Sequence, residues 1–224
     1  DPALRAAWES ELSGMVSRMK ALRELLAGHL AARRPDRDFS WVTRHRGMFS
    51  LTGLPPLAGF FNEEPAVRVM RLMGFDVDGL GNHNWDKGNA HLQQMIDIAG
   101  APAGGSEPGT PFTYVSANLG NVEANLNGVA PWLILERGGV KVGFVGVTNP
   151  EAPTLVFPGN FGTIDITDPV PAANKARSEL LKRGVKTTVL ISHMGVTGFD
   201  ATGEPVGPLI DLARNVGGFD VVAG

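Results

Sequence analysis

The chain has 224 residues, which is enough for one substantial hydrophobic core. Hydrophobic residues make up 43% and charged residues 19%, a composition that argues against wholesale disorder. The formal net charge of −3 gives no electrostatic reason to expect nucleic acid or an anionic membrane as partner. The absence of cysteine excludes disulfides and Cys-ligated zinc or iron–sulfur sites. No apolar run approaches the ~20 residues that span a bilayer.

The first quarter of the chain combines one regular pattern with one irregular stretch. Apolar residues recur at helical spacing over residues 8–32, which predicts an amphipathic helix. Residues 35–54 have no strand period and alternate Arg with aromatic residues. A regular pattern returns at Glu63, where an apolar stripe behind Pro65 predicts a helix that ends at Gly74.

Short apolar strands alternate with helices in the remainder of the chain. The predicted elements are a strand over 75–80, a helix over 91–100, a strand over 112–119, a hairpin over 132–147, a helix over 168–183, a strand over 187–193, a helix over 208–216 and a strand over 219–224. This alternation indicates an α/β protein with at least one buried sheet. The hairpin turn at Gly138 and Gly139 means that the sheets are not all parallel. Asp168 is the predicted N-cap of its helix.

Polar side chains follow two of these strands at the point where each strand ends. The stretch 81–86, GNHNWD, follows the strand that ends at Leu80, and His193 closes a later strand. In α/β folds, loops at the carboxyl ends of strands converge on one crevice. We therefore expect Asn82 and His193 at neighbouring strand ends, with side chains that face one crevice.

These residue types suit a hydrolytic metal centre, which needs hard oxygen and nitrogen ligands and a separate group for the leaving oxygen. Asn82 offers an amide oxygen and His193 an imidazole nitrogen. Asp86, three residues after His83, can accept a hydrogen bond from the His83 ring. Such a pair holds the imidazole in one tautomer and favours its protonated form, which is useful against a phosphoryl oxygen.

Each of these patterns also has a structural interpretation. An N-H-x-x-D pattern in a turn is more often loop structure than catalysis. A lone His at a strand end, such as His193, is more often a hydrogen-bonded surface or core residue. A nucleophile built on Ser192 is disfavoured because the chain has no G-x-S-x-G elbow. The glycines of 139–147 do not form G-x-G-x-x-G before a helix, which argues against a dinucleotide site.

The stretch 81–86 resembles the GNHEFD motif of calcineurin-like metallophosphoesterases, in particular of their bacterial 5′-nucleotidase branch. Further segments resemble that branch in the same order. They are 60–88 around the motif, 111–119 (its "sANv" strand), 138–153 (its "KIGviGltTP" strand), 187–195 (its "D-vvIaLsHlG" strand) and 219–224 (the strand before its G-H-x-H pair). An ordered set that covers about residues 55–224 is far more specific than a single motif.

The resemblance implies a metallophosphoesterase-type four-layer α/β/β/α sandwich with mixed sheets and two divalent metal ions, Zn, Mn or similar, at the strand ends. It implies that Asn82 and His193 are metal ligands and that His83 and Asp86 form a dyad beside the phosphoryl group. The implied reaction is hydrolysis of a small-molecule phosphate ester, a nucleotide or nucleotide-sugar, by metal-activated water. Frequent export of bacterial family members implies a periplasmic, cell-surface or extracellular location.

The chain departs from the family pattern in several places. Asn84 and Trp85 stand where the motif has Glu and Phe, at positions that are not ligands. No D-x-H pair precedes the helix over 8–32, and residues 35–54 lack the expected Gly-Asp step. The closing H-x-H pair would lie beyond Gly224.

From these departures we interpret residues 1–224 as a single truncated metallophosphoesterase domain, atypical over 35–54, without a C-terminal substrate-recognition domain. We expect the fragment itself to be inactive and the intact protein to be an enzyme. The alternative is a degenerate, non-catalytic domain that keeps the fold and only binds or scaffolds. A local frameshift or sequence error would explain residues 35–54 without true loss of a ligand.

Overall fold

The computed structural model of the protein describes residues 63–224 and, before them, Glu24, Gly28 and Ala32. Those three residues are helical and exposed, in agreement with the helix predicted over 8–32. The rest of that helix and the atypical stretch 35–54 lie outside the described residues. The chain divides into two compact units, Asp1–Met48 and Phe49–Gly224. The interpretation of residues 1–224 as one domain stays a prediction, because most of the first unit is not described.

The described residues from 63 onward form four α-helices. They are α1 (Glu64–Met73), α2 (Gly88–Gly100), α3 (Pro169–Lys182) and α4 (Pro208–Asn215). Helix α1 ends at Gly74, whose φ of 72° gives the left-handed conformation that closes a helix. Helix α3 begins after Asp168, whose side chain accepts a hydrogen bond from the Val170 amide at 2.9 Å. Both predicted helix ends are confirmed, whereas α2 begins three residues earlier than predicted.

The described strands form two main sheets and two short antiparallel pairs. The strands are β1 (Val77–Gly79), β2 (Thr113–Val115), β3 (Leu119–Gly120), β4 (Val129–Ala130), β5 (Trp132–Arg137), β6 (Val140–Val147), β7 (Asp165–Ile166), β8 (Thr187–Ser192), β9 (Gly198–Phe199), β10 (Pro205–Val206) and β11 (Val221–Ala223). The first sheet has the order β1-β2-β4 and is parallel. The second has the order β11-β8-β6-β5, and only the predicted β5–β6 hairpin is antiparallel.

The layers stack in the order helix, sheet, sheet, helix. Helix α2 packs on β2 and against α1, β1 and β2 pack on β6, and α3 packs on β6, β8 and α4. Gly146 permits the close approach of the sheets, because a Cβ there would overlap the Val115 carbonyl oxygen. Val145, Leu180 and Leu190 are fully buried between the second sheet and α3. The predicted four-layer α/β/β/α architecture with mixed sheets is confirmed. Within the described ranges, no helix has the length and apolarity to cross a membrane.

Candidate active site

The carboxyl ends of β1 and β8 meet at one edge of the sandwich. Strand β1 leads through Gly81 into a 3-10 turn over Asn82–Trp85, and β8 leads into His193. A Cβ at Gly81 would lie 2.7 Å from Cγ of His193, so the backbone before Asn82 runs directly against the His193 ring. The strands β1 and β8 belong to different sheets. Asn82 and His193 are therefore neighbours across the sandwich rather than within one sheet.

His83 and Asp86 form a hydrogen-bonded pair on the same turn. Nδ1 of His83 lies 2.9 Å from Oδ2 of Asp86, and the two side chains are 60% and 45% exposed. Because a carboxylate can only accept hydrogen bonds, the His83 ring donates through Nδ1. This leaves Nε2 for an interaction with another molecule. Asn82, by contrast, is buried. The turn thus holds one buried amide side chain, that of Asn82, and one exposed hydrogen-bonded His–Asp pair.

The charge of His83 affects the pKa of His193. Partial burial lowers the pKa of His193, and the positive charge of His83 lowers it further. The neutral imidazole that this favours is the form that binds a metal ion. His193 is therefore suited to a ligand role.

Asn82 and His193 provide oxygen and nitrogen donors of the kind that divalent metals bind. Among the residues that the structure describes, no group of three or more His, Cys, Asp or Glu side chains could hold a metal ion. Asn82 and His193 thus fit two positions of a metal centre, and the described residues do not complete it.

Both departures from the family motif within 81–86 have a structural reason. Oδ1 of Asn84 accepts a hydrogen bond from the Gly81 amide at 2.8 Å, which closes the 3-10 turn. Trp85 is fully buried, and its ring stacks on Phe161 with centroids 4.3 Å apart and an interplanar angle of 17°. Asn84 and Trp85 therefore shape the turn that presents Asn82 and His83.

The loop that follows β6 is bonded to this turn. Nδ2 of Asn160 donates to the carbonyl oxygens of Trp85 and Asp86 at 2.8 and 3.0 Å. Oδ1 of Asn89 accepts from the Trp85 indole at 2.9 Å, and its Nδ2 donates to the Phe161 carbonyl at 3.1 Å. Sequence reasoning missed Asn160, because a pairing across 75 residues leaves no local pattern.

A buried polar network joins the ends of β2 and β6. Oγ of Ser116 lies 2.8 Å from Oγ1 of Thr148. The Asn118 side chain accepts from the Thr148 amide and donates to the Thr148 carbonyl, both at 2.8 Å. Sequence reasoning assigned no role to these residues, although the "SAN" resemblance at 116–118 was an available signal. Ser192 is also buried, and its Oγ donates to the Ala223 carbonyl at 3.2 Å, in line with a structural role.

Comparisons with known proteins agree with this architecture. No family model matches the chain. Endonuclease YhcR of Bacillus subtilis is 32% identical over 181 residues, which cover 80% of this chain and 15% of that protein. A snake venom 5′-nucleotidase of Gloydius brevicauda is 31% identical over 170 residues, which cover 74% of this chain and 25% of that protein. The crystal structure of a 5′-nucleotidase precursor from Thermus thermophilus superimposes with a TM-score of 0.60 at 30% identity, covering 75% of this chain and 29% of that one.

The described residues have a metallophosphoesterase-type fold. The chain is a relative of the calcineurin-like 5′-nucleotidases, and the predicted family relationship is confirmed. It spans only 15% and 25% of the two curated relatives described above, so their names refer to much longer proteins.

Proposed function

We propose that the natural protein containing this chain is a metal-dependent phosphoester hydrolase of the 5′-nucleotidase type. The observation that carries this proposal is the contact between Gly81 and the His193 ring. It brings the turn of Asn82 and the loop of His193 to one place, with the His83–Asp86 pair on the same turn. The 30% identity with the Thermus 5′-nucleotidase precursor supports a nucleotide or a related phosphate ester as substrate.

In this proposal Asn82 and His193 are ligands in a centre for two divalent metal ions, with Zn and Mn as candidates. Metal ions bound there would supply positive charge and lower the pKa of a water molecule that attacks phosphorus. Nε2 of His83 donates to a phosphoryl oxygen as negative charge develops. Asp86 holds the His83 ring in place through its hydrogen bond with Nδ1.

The proposed substrate is a small molecule outside the cytoplasm. The net charge of −3 offers no attraction for nucleic acid, although the Bacillus relative is named an endonuclease. The Gloydius relative is by its name a venom protein, which supports export. Cleavage of DNA at a rate comparable with that of a nucleoside monophosphate would contradict the small-molecule assignment.

A second candidate is a non-catalytic domain that keeps the fold and binds a phosphate ester without hydrolysing it. The observation that favours it is the lack, within the described part of the chain, of a cluster of three acidic or histidine ligands. The two candidates differ in the outcome of one experiment.

That experiment measures inorganic phosphate release from adenosine 5′-monophosphate by the full natural protein, with added Mn²⁺ or Zn²⁺ and after treatment with a chelator. The hydrolase releases phosphate, loses activity with the chelator and regains it when metal is restored. Asn82→Ala and His193→Ala should each lower the bound metal measured by elemental analysis. Binding of the nucleotide without phosphate release under any of these metals would establish the non-catalytic alternative.

A further inference from the structure

Strand β5 forms one edge of the second sheet. Its inner side pairs with β6 along the whole strand, without a bulge. Within residues 63–224, no strand pairs with its outer side. Natural sheet edges are protected from other chains by lysine, proline or a bulge. Leu133, Ile134 and Leu135 form the middle of β5, so the central part of this edge has none of these protections.

The β5–β6 hairpin fixes which backbone groups of β5 point outward. The strands are joined by a two-residue turn, Gly138 and Gly139, so Arg137 and Val140 exchange hydrogen bonds with each other. Every second residue of β5 then bonds to β6, and the residues between them direct their N–H and C=O groups away from β6. These outward residues are Trp132, Ile134 and Glu136.

The spacing of the outward residues suits pairing with an identical strand. In an antiparallel pair of two β5 strands centred on Ile134, each Ile134 lies opposite the other, and Trp132 of one copy lies opposite Glu136 of the second copy. All three outward residues of both copies then exchange backbone hydrogen bonds. Any shift of this register leaves at least one of the three without a partner, so the register is defined.

The side chains on one face of β5 complement each other in the same register. Trp132 and Ile134 pack against the core beside α3. The Arg183 guanidinium lies over the Trp132 ring, with its central carbon 4.8 Å from the ring centroid. Glu136 is exposed. A second copy would therefore bring its Glu136 carboxylate beside Trp132, within reach of Arg183.

The surroundings of Arg183 have charge and space for this carboxylate. Glu179 accepts hydrogen bonds from Lys182 at 2.8 Å and from Arg183 at 3.1 Å. One carboxylate thus serves two cations, and the Arg183 side chain is still 47% exposed. A cavity of about 500 Å³ lies between Trp132 and α3. An acidic side chain from a second strand fits both features.

We propose that two copies of this chain associate through the outer side of β5, antiparallel and with Ile134 on the two-fold axis. The contact joins the two four-stranded sheets into one continuous sheet. The strand ends that carry Asn82 and His193 take no part in it. The inference therefore goes beyond the proposed hydrolase function and does not depend on it.

Charge reversal tests the contact between Glu136 and Arg183. The measurement is sedimentation velocity of the full natural protein over a range of concentrations. Glu136→Lys should weaken the dimer at least about tenfold, because it places like charges opposite each other in both halves of the interface. Adding Arg183→Glu to this variant should restore most of the lost affinity. Glu123→Lys is the matched control, because Glu123 is exposed and lies in the 3-10 helix Val122–Ala124, outside β5.

Cysteine variants test the register. The chain has no cysteine of its own. In the proposed register Leu133 of one copy lies opposite Leu135 of the second copy, at the closer spacing of a pair without mutual hydrogen bonds, which a disulfide can bridge. A mixture of Leu133→Cys and Leu135→Cys proteins should therefore form a disulfide-linked dimer on oxidation. Neither variant should form one alone.

The outcomes decide the inference. A wild-type protein that stays monomeric at every concentration overturns it. A dimer that Glu136→Lys and Glu123→Lys weaken equally, or that forms without the mixed cross-link, also overturns it, because such a dimer uses another surface. Thermal unfolding shows whether each variant keeps its fold. If Glu136→Lys is unfolded, the presence or absence of the mixed cross-link decides alone.

Discussion

Gly81 lies against the ring of His193, at a distance that leaves no room for a side chain. Gly81 has φ −106° and ψ 172°, a backbone conformation that alanine also adopts. A methyl group at this position would therefore act through its close contacts with the His193 ring, at 2.7 Å from Cγ, 2.8 Å from Cδ2 and 3.1 Å from Nδ1. Gly81 is therefore required because the His193 ring leaves no room for a side chain, and not because its backbone conformation needs a glycine.

Gly81→Ala should destabilise the protein by about 1–3 kcal/mol, the usual cost of forcing an extra methyl group into a packed site. It should also lower metal binding, because the His193 ring must move to make room. Urea denaturation and elemental analysis measure the two effects. Gly195→Ala is the control, because nothing lies within 4 Å of a Cβ at Gly195. Equal losses in the two variants would show that the ring contact is unimportant.

His83→Asn should lower turnover of the nucleotide about 10²–10⁴-fold, the range for loss of a general acid, while bound metal is retained. The reason is that His83 bonds to Asp86, and in the proposed function Nε2 of His83 contacts the substrate and does not bind a metal ion. Steady-state kinetics and elemental analysis of the same preparation test this. His91→Asn serves as the control, since His91 bonds to Glu63 at 3.3 Å. A metal-free His83→Asn protein would mean that the assigned role is wrong.

Asn160→Ala should lower kcat about tenfold or more with a smaller change in KM, because it removes both hydrogen bonds that hold the carbonyls of Trp85 and Asp86. Asn215→Ala provides a comparison, since Nδ2 of Asn215 donates to the Asp211 carbonyl at 2.7 Å on helix α4. Each variant should lose about 1 kcal/mol of stability per hydrogen bond. If kcat falls equally in both variants, the Asn160 hydrogen bonds have no special role in positioning His83 and Asp86.

Tyr114→Phe should raise the free energy of unfolding, by up to about 1–3 kcal/mol, because it removes a costly buried hydroxyl. Within the described part of the chain this hydroxyl has no hydrogen-bond partner, and Tyr114 is 1% exposed. Denaturation of the wild type and Tyr114→Phe measures the difference. A clear loss of stability in the variant would indicate a bonded hydroxyl and contradict the expectation.

Burial raises the pKa of the Tyr114 phenol, and the nearby charges of Asp78 and Glu63 raise it further. The unfolded chain releases this proton near pH 10, whereas the folded chain keeps it. Stability is therefore fully present below about pH 10 and falls as the pH rises beyond it. Tyr114 is the sole tyrosine, so absorbance at 295 nm reports its ionisation alone. Ionisation near pH 10 without loss of folded structure would contradict the burial.

We expect that one of the other two reading frames of the DNA for residues 35–54 encodes an apolar strand that ends in Gly-Asp. The motivation is that this stretch alternates Arg with aromatic residues directly before the part of the chain, about residues 55–224, that follows the family pattern. If neither frame contains such a strand, the frameshift hypothesis fails. True loss of the ligand would then strengthen the non-catalytic alternative.

Local features of the fold were predictable because they depend on neighbours in the sequence. Helix caps at Gly74 and Asp168 follow from backbone conformation and side-chain hydrogen bonding within a few residues. The β5–β6 hairpin follows from two apolar runs around a Gly-Gly turn. The strand predicted over 112–119 instead splits into β2 and β3, because Ser116 and Asn118 between them bond to Thr148, the residue that follows β6 of the other sheet. No local sequence pattern predicts that Thr148 forms these hydrogen bonds with Ser116 and Asn118.

The sequence by itself determined which residues carry the candidate chemistry, since Asn82, His83, Asp86 and His193 are recognisable from their types, spacing and resemblance. Only the tertiary structure decided that strands from two different sheets bring Gly81 against His193. It also decided that Asn160 clamps the turn from 75 residues away, and that Phe157 stands exposed beside Asp86. The physical reason is that side-chain periodicity encodes each element alone. The approach of two elements depends on how the whole sandwich packs.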